Sequence, residues 1–107
     1  MTLATFQYTS DPGTVVLVSA TAGRRIRVLR LLVACDSAGY VQLLSDPIGG
    51  GTAVSARLYV AAGRPMELVG ARDGALAAAA GKALGLASVS TNPSAKIGLM
   101  LWYELVE

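Results

Sequence analysis

The sequence predicts an all-β sandwich or barrel built as one domain over residues 1–107. Three observations carry that prediction. Short β-branched and aromatic stretches recur along the chain, each bounded by Gly, Pro, Asn or Asp turn signals. Their spacing is nearly regular, and it yields eight strands, which is also the number in a jelly roll. The one alanine-rich run, within residues 74–86, holds Gly74, Gly81 and Gly85, and each interior glycine costs a helix about 1 kcal/mol.

The elements follow in order. Residues 3–8 (LATFQY) read as the first strand. Ser10-Asp11-Pro12-Gly13 then turns the chain, because Pro presets the first turn angle and Gly permits positive φ. Residues 14–20 (TVVLVSA) are β-branched and short, a second strand. Thr21-Ala22-Gly23-Arg24 leads into residues 25–34 (RIRVLRLLVA), the stretch around which the chain is organised. Arg25 and Arg27 alternate with Ile26 and Val28, the period of a strand with one wet face. From Leu29 the alternation fails: Leu29, Leu31 and Val33 share one face, while Leu32 and Ala34 share the other with Arg30. The strand therefore starts half-exposed and ends apolar on both faces, which calls for a second covering layer. Residues 40–45 are a fourth strand, followed by the glycine-rich loop 46–52, expected to be mobile. Residues 53–60 (AVSARLYV) form a fifth and residues 65–69 a short sixth, whose leading Pro65 suits a strand start or an edge. A loop with one helical turn near residues 76–80 precedes the seventh strand, residues 82–90. After the turn 91–95, residues 96–106 (KIGLMLWYELV) are a long last strand, apolar on both faces through its middle.

Composition narrows function by exclusion. The chain is 53% hydrophobic and 15% charged, against an average charged share of about 25%. So little charge leaves a small monomer poorly covered, and burial against another subunit or a larger assembly accounts for it. There is no histidine, so a Ser-His-Asp or Cys-His arrangement is impossible and the commonest metal ligand is missing. The seven carboxylates show no spacing suited to acid–base work or calcium. Neither Gly49-Gly50-Gly51 nor Gly81-Lys82 completes a phosphate loop, since no Ser or Thr follows a lysine there. An enzyme, a bound cofactor and a metal are therefore not expected. Cys35 stands alone, so no internal disulfide forms, and beside a turn it reads as a small apolar residue. No window approaches a membrane-spanning apolar run, and the N-terminus lacks a signal peptide's basic start, so synthesis in a cytoplasm and no membrane partner are the expectation. Arg24, Arg25, Arg27 and Arg30 crowd one strand, but further lysines and stacking platforms are thin, which points to ion-paired contact with an acidic neighbour rather than to nucleic acid. Trp102, Tyr40, Tyr59 and Tyr103 are the aromatic side chains that a sugar-binding face would use, though Trp102 beside Met100 reads as core or subunit interface.

The order of motifs resembles small β-sandwich proteins of tailed bacteriophage virions. The matching residues are Gly23, Arg24, Ile26, Arg27 and Val28 in one strand, then Ala79, Gly81, Leu84 and Leu86, with a closing strand that carries Trp102-Tyr103. That resemblance implies an antiparallel, eight-stranded, jelly-roll-like sandwich. It implies a homo-oligomer, most often a trimer, that sits on the capsid surface of the virion as a decoration or cement subunit against the major capsid protein. On this reading Leu29, Leu31, Leu99, Leu101 and Trp102 serve core and subunit packing, and Arg24, Arg25, Arg27 with Asp46, Pro47 and Ile48 meet the shell. Another virion position, in the tail, neck or head-fibre base, and a lectin-like glycan-binding sandwich are the alternatives.

Overall fold

The computed structural model describes residues 2–9, 13–70, 76–90, 92 and 95–107, with the backbone path alone for residues 4–9. The described residues form nine strands: β1 Thr2–Thr9, β2 Thr14–Val18, β3 Arg25–Cys35, β4 Gly39–Ser45, β5 Thr52–Ala53, β6 Leu58–Val60, β7 Met66–Val69, β8 Leu84–Ser90 and β9 Lys96–Val106. One sheet has the order β1-β9-β3-β7; the other has the order β2-β8-β4-β5, with β6 also on β4. Every ladder is antiparallel. Apart from the adjacent pieces β5 and β6, successive strands alternate between the sheets, the connectivity of a jelly roll. The radius of gyration is 12.9 Å, against about 13 Å from globular scaling.

The core lies between the sheets. Ile26, Val28, Leu31 and Val33 of β3 and Ile97, Leu99 and Leu101 of β9 meet Val41 and Leu43 of β4 and Leu84 and Leu86 of β8. Within β3 the inward residues change parity, from Ile26 and Val28 to Leu31, Val33 and Cys35. The cause is a bulge: Val28 pairs with Tyr103 and Arg30 with the next residue of β9, Trp102, so Leu29 is the extra residue. The broken alternation of the sequence thus records a phase shift. It does not place Leu29, Leu31 and Val33 on one face. The Leu29 carbonyl accepts a 2.9 Å bond from the Gly70 N–H. Gly70 approaches so closely that a Cβ there would overlap the Val28 carbonyl oxygen.

Three other expectations change. The fifth strand splits into β5 and β6, which is why nine strands replace eight. Between them the Ser55 hydroxyl accepts from the Leu43 N–H at 3.1 Å, and the Ser55 carbonyl accepts from the Gln42 amide at 3.0 Å. A side-chain hydroxyl has taken a ladder position, the local competition that short polar residues offer the backbone. The helical turn near residues 76–80 is absent. β7 ends at Val69 and leaves the start of β3 open. Residues 76–78 fill that place in extended form, with Val28 N–H donating to Leu76 O at 2.8 Å and Ala78 N–H to Ile26 O at 3.0 Å. Buried backbone groups need partners, and that need outweighs alanine's helix propensity. β8 starts at Leu84, two residues later than expected. Gly85 lies inside it because a Cβ there would overlap Pro47 and the Val15 carbonyl. The turn residues 10–12, most of the turn 91–95 and Gly74 lie outside the described residues.

Candidate functional site

The bulge decides which side chains β3 shows to solvent. Arg30, Leu32 and Ala34 take the outer face beyond it. Register then assembles two rows across the β1-β9-β3-β7 sheet. Leu3, Trp102, Arg30 and Val69 stand side by side in the first row. Met100, Leu32 and Glu67 stand together in the second. Leu3 is 50% and Val69 65% exposed, and Trp102, Met100 and Leu32 are half-buried. The Arg30 guanidinium lies 4.8 Å from the Trp102 ring centroid, a contact worth about 0.5–1 kcal/mol at an exposed site. The same guanidinium donates to the Glu67 carboxylate at 2.6 Å. These two rows are therefore apolar with one internally neutralised ion pair.

The residues expected at interfaces divide. Leu31, Leu99 and Leu101 are buried between the sheets. Leu29 is the half-buried bulge residue, and Trp102 is on the outer face. The arginines have partners within the chain: Arg24 with Glu107 at 3.7 Å, and Arg27 with Glu104, its register partner on β9. The Arg24 pair is exposed and contributes at most about 1 kcal/mol, the Arg27 pair is half-buried, and together they neutralise much of the basic stripe. Arg25 Nε reaches the Ala78 carbonyl at 3.5 Å.

Arg25 and Asp46, remote in sequence, line one cleft of about 410 Å³ with Ser45, Thr52, Val54 and Lys82. Asp46 adopts a left-handed φ of 56°. Its carbonyl accepts from the N–H groups of Gly49 and Gly51, at 3.1 and 3.0 Å, so two hydrogen bonds close the glycine-rich loop. Pro47 packs over Gly85, and Ile48 is 80% exposed at the loop tip. Lys82 Nζ lies 3.8 Å from the Asp46 carboxylate, and the Ser45 hydroxyl accepts from the Ala79 N–H at 3.0 Å. The cleft thus presents two cations, one carboxylate and a committed hydroxyl. Among the described residues no three His, Cys, Asp or Glu side chains gather as a metal site.

A third surface lies on the outer face of the other sheet. Val89, Tyr40 and Tyr59 form a cross-strand row. The two tyrosine rings are 5.8 Å apart and tilted at 60°, and the Arg57 guanidinium lies 4.6 Å from the Tyr40 ring centroid. Tyr59 is 73% exposed beside a shallow cleft of about 320 Å³ that Ala38 and Ser90 help to line. The Ser90 hydroxyl already donates to Ala38 O at 3.3 Å and accepts from Asn92 N–H at 3.2 Å. Of the four aromatic residues the sequence offers for a sugar platform, register unites Tyr40 and Tyr59. It leaves Trp102 and Tyr103 on the opposite sheet. Sequence spacing does not show the Tyr40–Tyr59 pair, because it depends on which strands adjoin.

The outer faces of the two sheets are mainly apolar, and the cleft between Arg25 and Asp46 keeps one cation in excess. Compared with known proteins, the chain matches no family model and no curated sequence, so its functional reading stands on these surfaces and on the fold that positions them.

Proposed function

We propose that this chain is a structural subunit of a virion, a capsid decoration protein that binds the outer shell as a homo-oligomer, with three copies per ring as the phage resemblance implies. The observation that carries the reading is the outer face of β9 and β3, where Trp102, Met100 and Leu32 form an apolar surface flanked by Leu3 and Val69. A jelly roll alone does not name a function. That face occurs on a chain whose charged share is only 15%, and the two together favour burial against other copies.

Burying a few hundred Å² of such surface stabilises by several kcal/mol at about 25 cal/mol per Å². Association itself costs about 4–15 kcal/mol, so one patch supports a modest contact. Repetition over a shell multiplies it. In this reading Trp102 and Leu32 face a sister copy, Leu31, Leu99 and Leu101 hold the frame, and Leu29 sets the phase between them. The shell meets the end where Arg25, Asp46, Pro47 and Ile48 converge, with Arg24 and Arg27 beside it.

Co-sedimentation with isolated, undecorated capsids tests the reading. The chain is expected to pellet with capsids, and Ile48→Asp to weaken that at least tenfold while the melting temperature holds. A chain that ignores every capsid offered contradicts it. A glycan-reading module is the second reading, favoured by the exposed Tyr40–Tyr59 row. Glycan-array signals lost in Tyr59→Ala would support it, although few free polar groups converge there to orient a sugar.

A further inference from the structure

We infer that β1 is a self-pairing edge: the β1 strands of two copies join antiparallel, so that their β1-β9-β3-β7 sheets become one continuous sheet. The inference goes beyond the virion reading and does not depend on it.

The four sheet edges differ in how they are defended. β7 has four residues, follows Pro65 and carries Glu67, ion-paired to Arg30. β2 has five residues and a bulge between Val16 and Val18. β5 and β6 have two and three residues and are interrupted between them. Shortness, proline, charge and bulges are the devices that stop an edge from pairing with another chain. β1 has none of them. It runs for eight residues, TLATFQYT, with no charge, proline or glycine. Its register with β9 is unbroken from Thr2↔Tyr103 to Thr9↔Lys96, and among the described residues β9 is its one ladder partner. Every second residue therefore directs its N–H and C=O outward, away from β9.

The occupant follows from length. Among the described residues no other edge of this chain is long enough to pair with all of β1, so its match is β1 of a second copy. Antiparallel self-pairing about a two-fold axis is the symmetric, closed solution. That axis runs through the sheet, so both outer faces stay on one side. Leu3, half-exposed next to Trp102, then carries the apolar row of one copy toward the row of the other. Added strands of this kind draw affinity from main-chain hydrogen bonds.

Sedimentation equilibrium from micromolar to millimolar concentration tests the inference on the wild type and on Thr5→Lys, which brings two like charges together across the axis. The variant is expected to show half the wild-type assembly mass, with its circular dichroism and melting curve retained. In the wild type, amide exchange at alternate β1 residues is expected to slow as concentration rises. That measurement carries the test if Thr5→Lys fails to fold. A wild type that stays a single chain, equal masses for both proteins, or β1 exchange indifferent to concentration would each overturn self-pairing. So would a single chain whose β1 captures an added extended peptide. Leu32→Arg alters the outer face away from this edge and is expected to leave the two-chain species intact, so the edge and the face fail separately.

Discussion

Deleting Leu29 is expected to be the mildest single-residue deletion that β3 can suffer. The ladder already skips this residue, passing from Val28↔Tyr103 to Arg30↔Trp102. Without it, Ile26, Val28, Leu31 and Val33 fall on one face of a regular strand. The loss is the 2.9 Å bond from Gly70 N–H, about 0.5–1.5 kcal/mol, and part of a half-buried leucine, for a total of about 1–3 kcal/mol. Deleting Leu32 has the opposite consequence. Val33 and Cys35, 0% and 4% exposed, leave the core phase, and Ala34 takes an inward position too large for it. That costs about 3–5 kcal/mol, a large share of the 5–15 kcal/mol typical of a domain. Urea unfolding at fixed protein concentration, followed by Trp102 fluorescence and circular dichroism, compares the two. With a slope of about 1–2 kcal/mol per M for a small protein, the midpoints separate by about 1–2 M. Equal midpoints, or a lower one for the Leu29 deletion, would refute the bulge as the origin of the phase change.

Other outcomes follow from single contacts. Leu101→Ala removes a fully buried side chain and is expected to cost about 2–5 kcal/mol, read as a fall in melting temperature. Gly85→Ala places a Cβ against Pro47 and the Val15 carbonyl and is expected to cost about 1–3 kcal/mol by overpacking, visible in the same melt. Trp102→Ala takes away the Arg30 stacking contact but no core residue, so its stability loss is expected to stay below that of Leu101→Ala while association weakens. A double-mutant cycle on Arg27 and Glu104 is expected to give a coupling of about 0.2–1 kcal/mol that shrinks with added salt.

Much of the fold is legible because turn chemistry is local. Gly23 and Gly63 adopt the left-handed conformation at turns that glycine announces in the sequence, and β9 has the bounds its alternation implies. What escapes is set by neighbours. Leu29 looks like a lapse in pattern until β9 shows that it is an insertion. Ser55 has β-compatible neighbours but takes a backbone bond from Leu43. Residues 76–78 have helical composition and lie extended, because β3 has open hydrogen-bonding groups there. The surfaces follow the same rule. The closing strand reads as apolar on both faces, so alternation sorts its residues into two sets but does not say which set meets the core. The rows Leu3–Trp102–Arg30–Val69 and Val89–Tyr40–Tyr59 are not legible either, since each needs strands brought together from distant parts of the chain.

The proposed assembly joins copies of this chain through the outer face of β9 and β3. Its most direct test is the solution mass of the wild type beside Leu32→Arg, measured at matched concentrations with folding checked by thermal melt. Wild type is expected to assemble beyond two chains, and the variant to fall to the two-chain species with its melt preserved. An unchanged mass in the variant, or a wild type that stays solitary throughout, would contradict the account.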